Sequence, residues 1–191
     1  MDKFQNSLDV ELWLNKDLIH RQNLLKTQFT SVLEDVGNSF PKEIFDKISA
    51  KSKGTKISKG NDLLGFPYLV LDLIRDFDPI TGSNIRLLNW FGNGLFITIL
   101  LGSNRENPVK EFIGLEFSFG LSENQWDYPD LILNRNLTTD EGKIAKAKLG
   151  FYHWIKPIPV DPDLLVLNQN LCKCLKKILG ILSLPAEQVR N

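Results

Sequence analysis

From Pro67 to Leu101 the chain carries three apolar runs that alternate like β-strands yet show no polar face. In the first run, Leu69, Leu71 and Leu73 stand against Tyr68, Val70, Asp72 and Ile74. Asn84–Phe91 and Leu95–Leu101 follow, joined at Gly92-Asn93-Gly94. Successive side chains of a strand point to opposite faces, and an antiparallel sheet with one wet face alternates cleanly between apolar and polar. Here both sides are apolar, so both sides must be covered. The Asn93-Gly94 pair predicts a two-residue hairpin turn, because both turn positions need positive φ. That turn sets Phe91 opposite Phe96, Asn89 opposite Thr98 and Leu87 opposite Leu100, leaving Arg86, Leu88, Trp90, Ile97, Ile99 and Leu101 on the other face.

The covers must come from the flanks. Leu14, Leu18, Leu25, Phe29, Val32 and Val36 recur at helical spacing and predict one long amphipathic helix from Val10 to Val36, closed by Gly37-Asn38. Pro41 opens a shorter helix through Ile44, Phe45 and Ile48. Lys51 to Gly65 reads as a surface loop, or as an edge strand and a loop. Phe112–Phe119 alternates and predicts a strand with one face in solvent. Thr138 and Glu141 have capping-box spacing for a helix ending at Gly150. Phe151–Ile155 is a strand, and Lys156-Pro157-Ile158-Pro159 is extended chain that cannot lie centrally in a sheet, since proline donates nothing to the ladder. Asp161 as cap and Pro162 as first residue start a last helix carrying Leu164, Leu167, Leu171, Leu175, Ile178 and Leu182, which Leu184-Pro185 ends. Asn124 to Arg135 shows no period. The expected fold is α+β in a single domain: an antiparallel sheet of five to six strands packed by the long first helix and the last helix. It is helical over 1–50 and β-rich over 55–158, with the C-terminal helix over 161–183. At roughly 150 residues per domain, 191 residues make one core.

Several function classes are disfavoured. Lys and Arg total 23 against 23 Asp and Glu, balanced in each half of the chain, so bulk charge predicts neither nucleic-acid nor membrane-surface binding. The longest apolar stretch, Leu95 to Gly102, is far short of the roughly 20 residues that span a bilayer. The polar opening Met1-Asp2-Lys3 predicts no secretory leader. Cys172 and Cys174 lie on different sides of a helix and read as packing thiols of a reducing, cytoplasmic compartment. His20 and His153 have no spaced partners, so neither a metal site nor a cofactor is expected. Asp76 and Asp78 beside Pro79 are turn residues.

One region departs from this pattern of core and turn. Lys59 and Asn61 lie among turn formers, Tyr68 follows, and Asp72 and Arg86 interrupt apolar strands. A charge on a covered sheet needs a partner, because leaving it alone costs several kcal/mol. Asp72 and Arg86 therefore either pair structurally or join Lys59, Asn61 and Tyr68 around a polar ligand. The stretch Lys56-Ile57-Ser58-Lys59-Gly60-Asn61, with Gly65-Phe66-Pro67-Tyr68-Leu69-Val70-Leu71-Asp72, Ile85-Arg86 and Trp90-Phe91-Gly92-Asn93, resembles a family of uncharacterised bacterial hypothetical proteins over residues 56–101. The resemblance implies a bacterial cytoplasmic protein and brings no catalytic residue. The expected function is a non-enzymatic binding or interaction protein; the alternative is a small-molecule enzyme or ligand sensor at Lys59, Tyr68, Asp72 and Arg86. A homodimer through a sheet face is expected if the helices leave one face bare.

Overall fold

Seven strands pair antiparallel in the order β1-β2-β3-β4-β7-β5-β6 in the computed structural model, which describes residues 7–183. The α+β class stands, and the sheet has seven strands instead of five to six. Its centre is β2 (Phe66–Asp76), β3 (Ser83–Trp90), β4 (Gly94–Gly102) and β7 (Phe151–Ile158). The Lys-rich stretch forms edge strand β1 (Lys56–Leu63), where exposed lysines discourage further strand pairing. Short β5 (Ser118–Gly120) and β6 (Leu137–Thr138) complete the other side.

The register differs from expectation in two places. The β3–β4 hairpin pairs Trp90 with Gly94, Leu88 with Phe96 and Arg86 with Thr98. Its loop is therefore Phe91-Gly92-Asn93. Gly92 takes the left-handed conformation (φ 83°) that the two-residue turn assigned to Asn93. That one-residue difference in loop length moves Phe96 and Thr98 onto the face of Arg86, Leu88 and Trp90. In β2 the pairing shifts between Asp72, opposite Arg86, and Ile74, opposite Ile85. Leu73 is the extra residue of this bulge, so Leu73 and Ile74 both enter the same core.

One face of the sheet packs against α2 (Lys16–Asn38), α3 (Lys42–Ile48) and α7 (Leu164–Leu182). Leu33, Val36, Phe45, Leu171 and Leu175 meet Leu71, Leu87, Ile97, Ile99 and Trp154 there, and α2 and α3 both lie on α7. The opposite face is covered by the segment without a period, which folds into α5 (Tyr128–Ile132) and, together with Leu137 just beyond it, brings Tyr128 and Ile132 against Val70, Leu88, Trp90 and Phe96. The covering that a second copy was expected to supply on a sheet face is thus provided by the chain itself.

Other elements were drawn differently by local chemistry. The long first helix is interrupted at Asn15 (ψ 82°), whose side chain caps α2 by accepting from Leu18 N and so separates off α1 (Val10–Leu14). Only from Phe29 onward does the stripe pack; Leu14, Leu18 and Leu25 are exposed. Helix α2 continues through Gly37-Asn38, where Gly37 lies close against Leu71. Phe112 lies in α4 (Val109–Gly114) instead of a strand, and the chain reverses at Glu116 (φ 65°) so that Phe112 and Phe117 meet in the core. Helix α6 (Glu141–Lys146) is capped by Asp140 and stops before Gly150. Pro157 lies opposite Phe96 in β7, beyond Trp154 and Ile155, the residues that β5 pairs, so its missing donor is not required.

Helix α7 is capped by Asp163, not Asp161, and passes through Gly180; the Leu184-Pro185 stop lies outside the described residues. Asp163 Oδ1 accepts from Leu165 N at 2.8 Å and Val166 N at 3.2 Å. Asp163→Ala is expected to lower stability by about 1 kcal/mol, the usual worth of an N-cap. Asp161→Ala, which removes a contact only to the Asp163 amide, should cost less. Urea midpoints of the two variants decide which residue caps.

Candidate functional site

Asp72 and Arg86, the charges that interrupt the middle strands, lie on the face opposite the long helices. The antiparallel register aligns Asp72 of β2, Arg86 of β3 and Thr98 of β4 in one cross-strand row. Asp72 is only 4% exposed. Arg86 Nε donates to its Oδ1 at 2.8 Å and Nη2 to its Oδ2 at 3.1 Å, a two-pronged geometry that suits guanidinium and carboxylate. Asn84 Nδ2 donates to the same Oδ1 at 2.9 Å and to Ile74 O at 2.7 Å.

The α5 segment closes over this pair. Asp127 caps α5 by accepting from Asp130 N, which sets Tyr128 at the first turn. Tyr128 Oη accepts from Arg86 Nη1 at 2.9 Å. The Arg86 guanidinium lies 5.1 Å from the Trp126 ring centre and 5.9 Å from that of Tyr128, within cation–π range. Burial is the largest influence and opposes charge on Arg86, but the hydrogen bonds and charge interactions with Asp72 and Tyr128 together outweigh it and hold the guanidinium above its ordinary value. Burial pushes the Tyr128 phenol up, with Arg86 pulling the other way.

Beside Tyr128, at 5.7 Å between ring centres, His153 of β7 is 2% exposed and neither ring nitrogen has a partner. Burial, and then the charge of Arg86, lower its pKa to about 3. It is a neutral imidazole at physiological pH.

The five residues singled out in the sequence do not form one cluster. Asp72 and Arg86 are an ion pair, and Tyr68 packs on their side of the sheet with Val70, Leu88 and Trp90. The Tyr68 ring crosses Gly60, where any Cβ would overlap it. Lys59 stands opposite Leu69, whose side chain belongs to the helical side. Lys59, Asn61 and Tyr68 nonetheless all line one open groove of about 580 Å³ between α2 and the β1–β2 edge, with Asn23, Lys26, Thr27 and Thr30 across from them. The Asp72–Arg86 side offers little to a substrate: the carboxylate oxygens are engaged and aromatic rings lie over the guanidinium. A general base needs a free lone pair within reach of its proton.

Tyr128, Trp126, Asn84 and His153 were not foreseen. The only signal was the density of aromatic and turn residues in Trp126-Asp127-Tyr128-Pro129, which does not say what they cover. Asp78 behaves as expected of a turn residue. Backbone hydrogen bonds from Thr81 and Ile80 lower its pKa. Among the described residues, no helix is long and apolar enough to cross a membrane, and no three His, Cys, Asp or Glu side chains gather as a metal site requires. No protein-family model, curated protein or solved structure matches this chain.

Proposed function

We propose that this chain is a non-enzymatic binding protein that presents its α1–α2 projection to another macromolecule. The observation that carries the reading is exposure: every residue from Ser7 to Leu25 is exposed, including Trp13 at 72% and Leu14 at 60%. Soluble monomers rarely leave a large contiguous apolar patch in water, and such patches mark interaction surfaces. The enclosed Asp72–Arg86 pair supports the same reading, since it serves the fold and leaves no reaction centre there.

The test separates a surface stripe from a core stripe. A Leu18→Gln/Leu25→Gln variant is expected to keep its near-UV circular dichroism and a cooperative melt, because these side chains complete no internal packing. Loss of the near-UV signal would place the stripe in the chain's own core and remove the reading.

A small-molecule sensor is the second reading, favoured by the groove that Lys59 and Asn61 share with Lys26. Phosphorylated and carboxylated metabolites should then raise the melting temperature of the wild type and not of Lys59→Ala. No shift with any of them in the wild type would dismiss it.

A further inference from the structure

We infer that the occupant of the α1–α2 projection is a second copy of this chain, paired antiparallel about a twofold axis near Lys16–Leu18; this rests on the interaction reading above. Two observations select a copy of itself. The first is charge. Residues 8–15 contain Asp9 and Glu11 and no base, whereas residues 18–33 contain Arg21 and Lys26 and no acid. The tip of the projection is acidic and its stem basic.

Antiparallel pairing lays each acidic tip on the other copy's basic stem, twice over, and also opposes the helix dipoles. Parallel pairing would set like on like. Among the described residues Arg21 pairs with Asp17 at 3.7 Å, and both side chains are at least three-quarters in water. An isologous contact of this kind closes on itself and produces a dimer instead of a filament.

The second observation is area. Nine large apolar side chains between Leu8 and Leu25 are 43–89% exposed. At on the order of 100 Å² apiece they offer about 900 Å² in all, and the roughly half of it that one antiparallel copy can face falls in the range of the smaller specific interfaces. Leu18, Ile19 and Leu24 point to different sides of α2, separated by steps of 100° per residue. A helix lying on lipid would gather its apolar residues on one side, so this distribution favours enclosure by protein.

Light scattering across 1–100 µM, a range chosen to cover ordinary homodimer affinities, tests the inference. The wild type is expected at twice its 21.8 kDa chain mass, and Leu18→Lys/Leu25→Lys at the chain mass. Asp9→Lys/Glu11→Lys should weaken association at least tenfold, and adding Arg21→Glu/Lys26→Glu to it should restore association. A wild type that stays monomeric throughout, or that binds anionic phosphatidylserine vesicles as a monomer, overturns the second copy. So does a charge-reversed variant that dimerises as well as the wild type. If near-UV circular dichroism of Leu18→Gln/Leu25→Gln is intact, those results leave the interaction reading standing; if it is lost, both fall.

Discussion

Arg86→Met is expected to cost about 3 to 5 kcal/mol of folding stability, read as a drop in the urea midpoint at unchanged slope. The size follows from what remains behind. The Asp72 side chain is 6% exposed, so its carboxylate would stay in a nearly dry site with Asn84 as its remaining side-chain donor. The Tyr128 hydroxyl would lose its donor and the Trp126 ring its cation. Burying an uncompensated charge is costly, whereas replacing a buried pair with apolar groups of similar volume is often neutral or better. The double variant Asp72→Leu/Arg86→Met should therefore recover most of the loss. A cost under about 1 kcal/mol for Arg86→Met, the range of exposed pairs, would contradict a structural role for this pair.

Acid should destabilise the protein through His153. Unfolded, the imidazole takes a proton near its ordinary 6.5; folded, burial and the Arg86 charge hold it at about 3. Between those values the unfolded state binds more protons, so stability falls as pH falls, by up to about 1.4 kcal/mol per unit. The contribution is complete above pH 6.5 and gone below about 3. The window from pH 6.5 to 5 is diagnostic, because Asp78 and Glu116, both pulled below ordinary carboxylate values by their hydrogen bonds, titrate lower. About 2 kcal/mol should be lost across it. His153→Leu removes two unpartnered nitrogens from the core; it should be at least as stable as the wild type at pH 7 and flat across the same window. A wild type with no slope there would place His153 in contact with water or a hydrogen-bond partner.

Both predictions depend on residues whose importance is invisible one at a time in the chain. Asp72 and Arg86 were legible as charges needing partners because they break apolar strands, and they are indeed each other's partner. Lys59, Asn61 and Tyr68 looked equally polar and equally near, yet strand alternation sends Lys59 to the helical side and Tyr68 to the other. A one-residue difference in pairing decides such a question, and the paired positions of β1 offered no period from which to read it.

Local signals carried the helices and strands of the frame. Helical spacing marked α2, α3 and α7; apolar alternation marked β2, β3, β4 and the start of β7. The demand that both faces of the middle strands be covered also held, since it follows from burial alone. Turn and cap chemistry was read less well because several residues could serve each role. Gly94 has the expected positive φ but Gly92 supplied the one sought at Asn93, and Asp163 supplied the cap sought at Asp161.

What covers the second face was a different kind of question. Residues 124–135 have no hydrophobic period, because they do not lie along one face of a long helix or strand. They bring a few aromatic rings down onto a surface built elsewhere. Arg86 donates to Tyr128 across 42 positions of sequence, and a contact of that range leaves no mark on the residues between. The pattern of apolar side chains along the backbone was enough to dictate the elements and to require a cover. Which segment supplied it, and which charges it enclosed, was decided by register and by packing in three dimensions, where the energy of a contact depends on distance in space and not on separation along the chain.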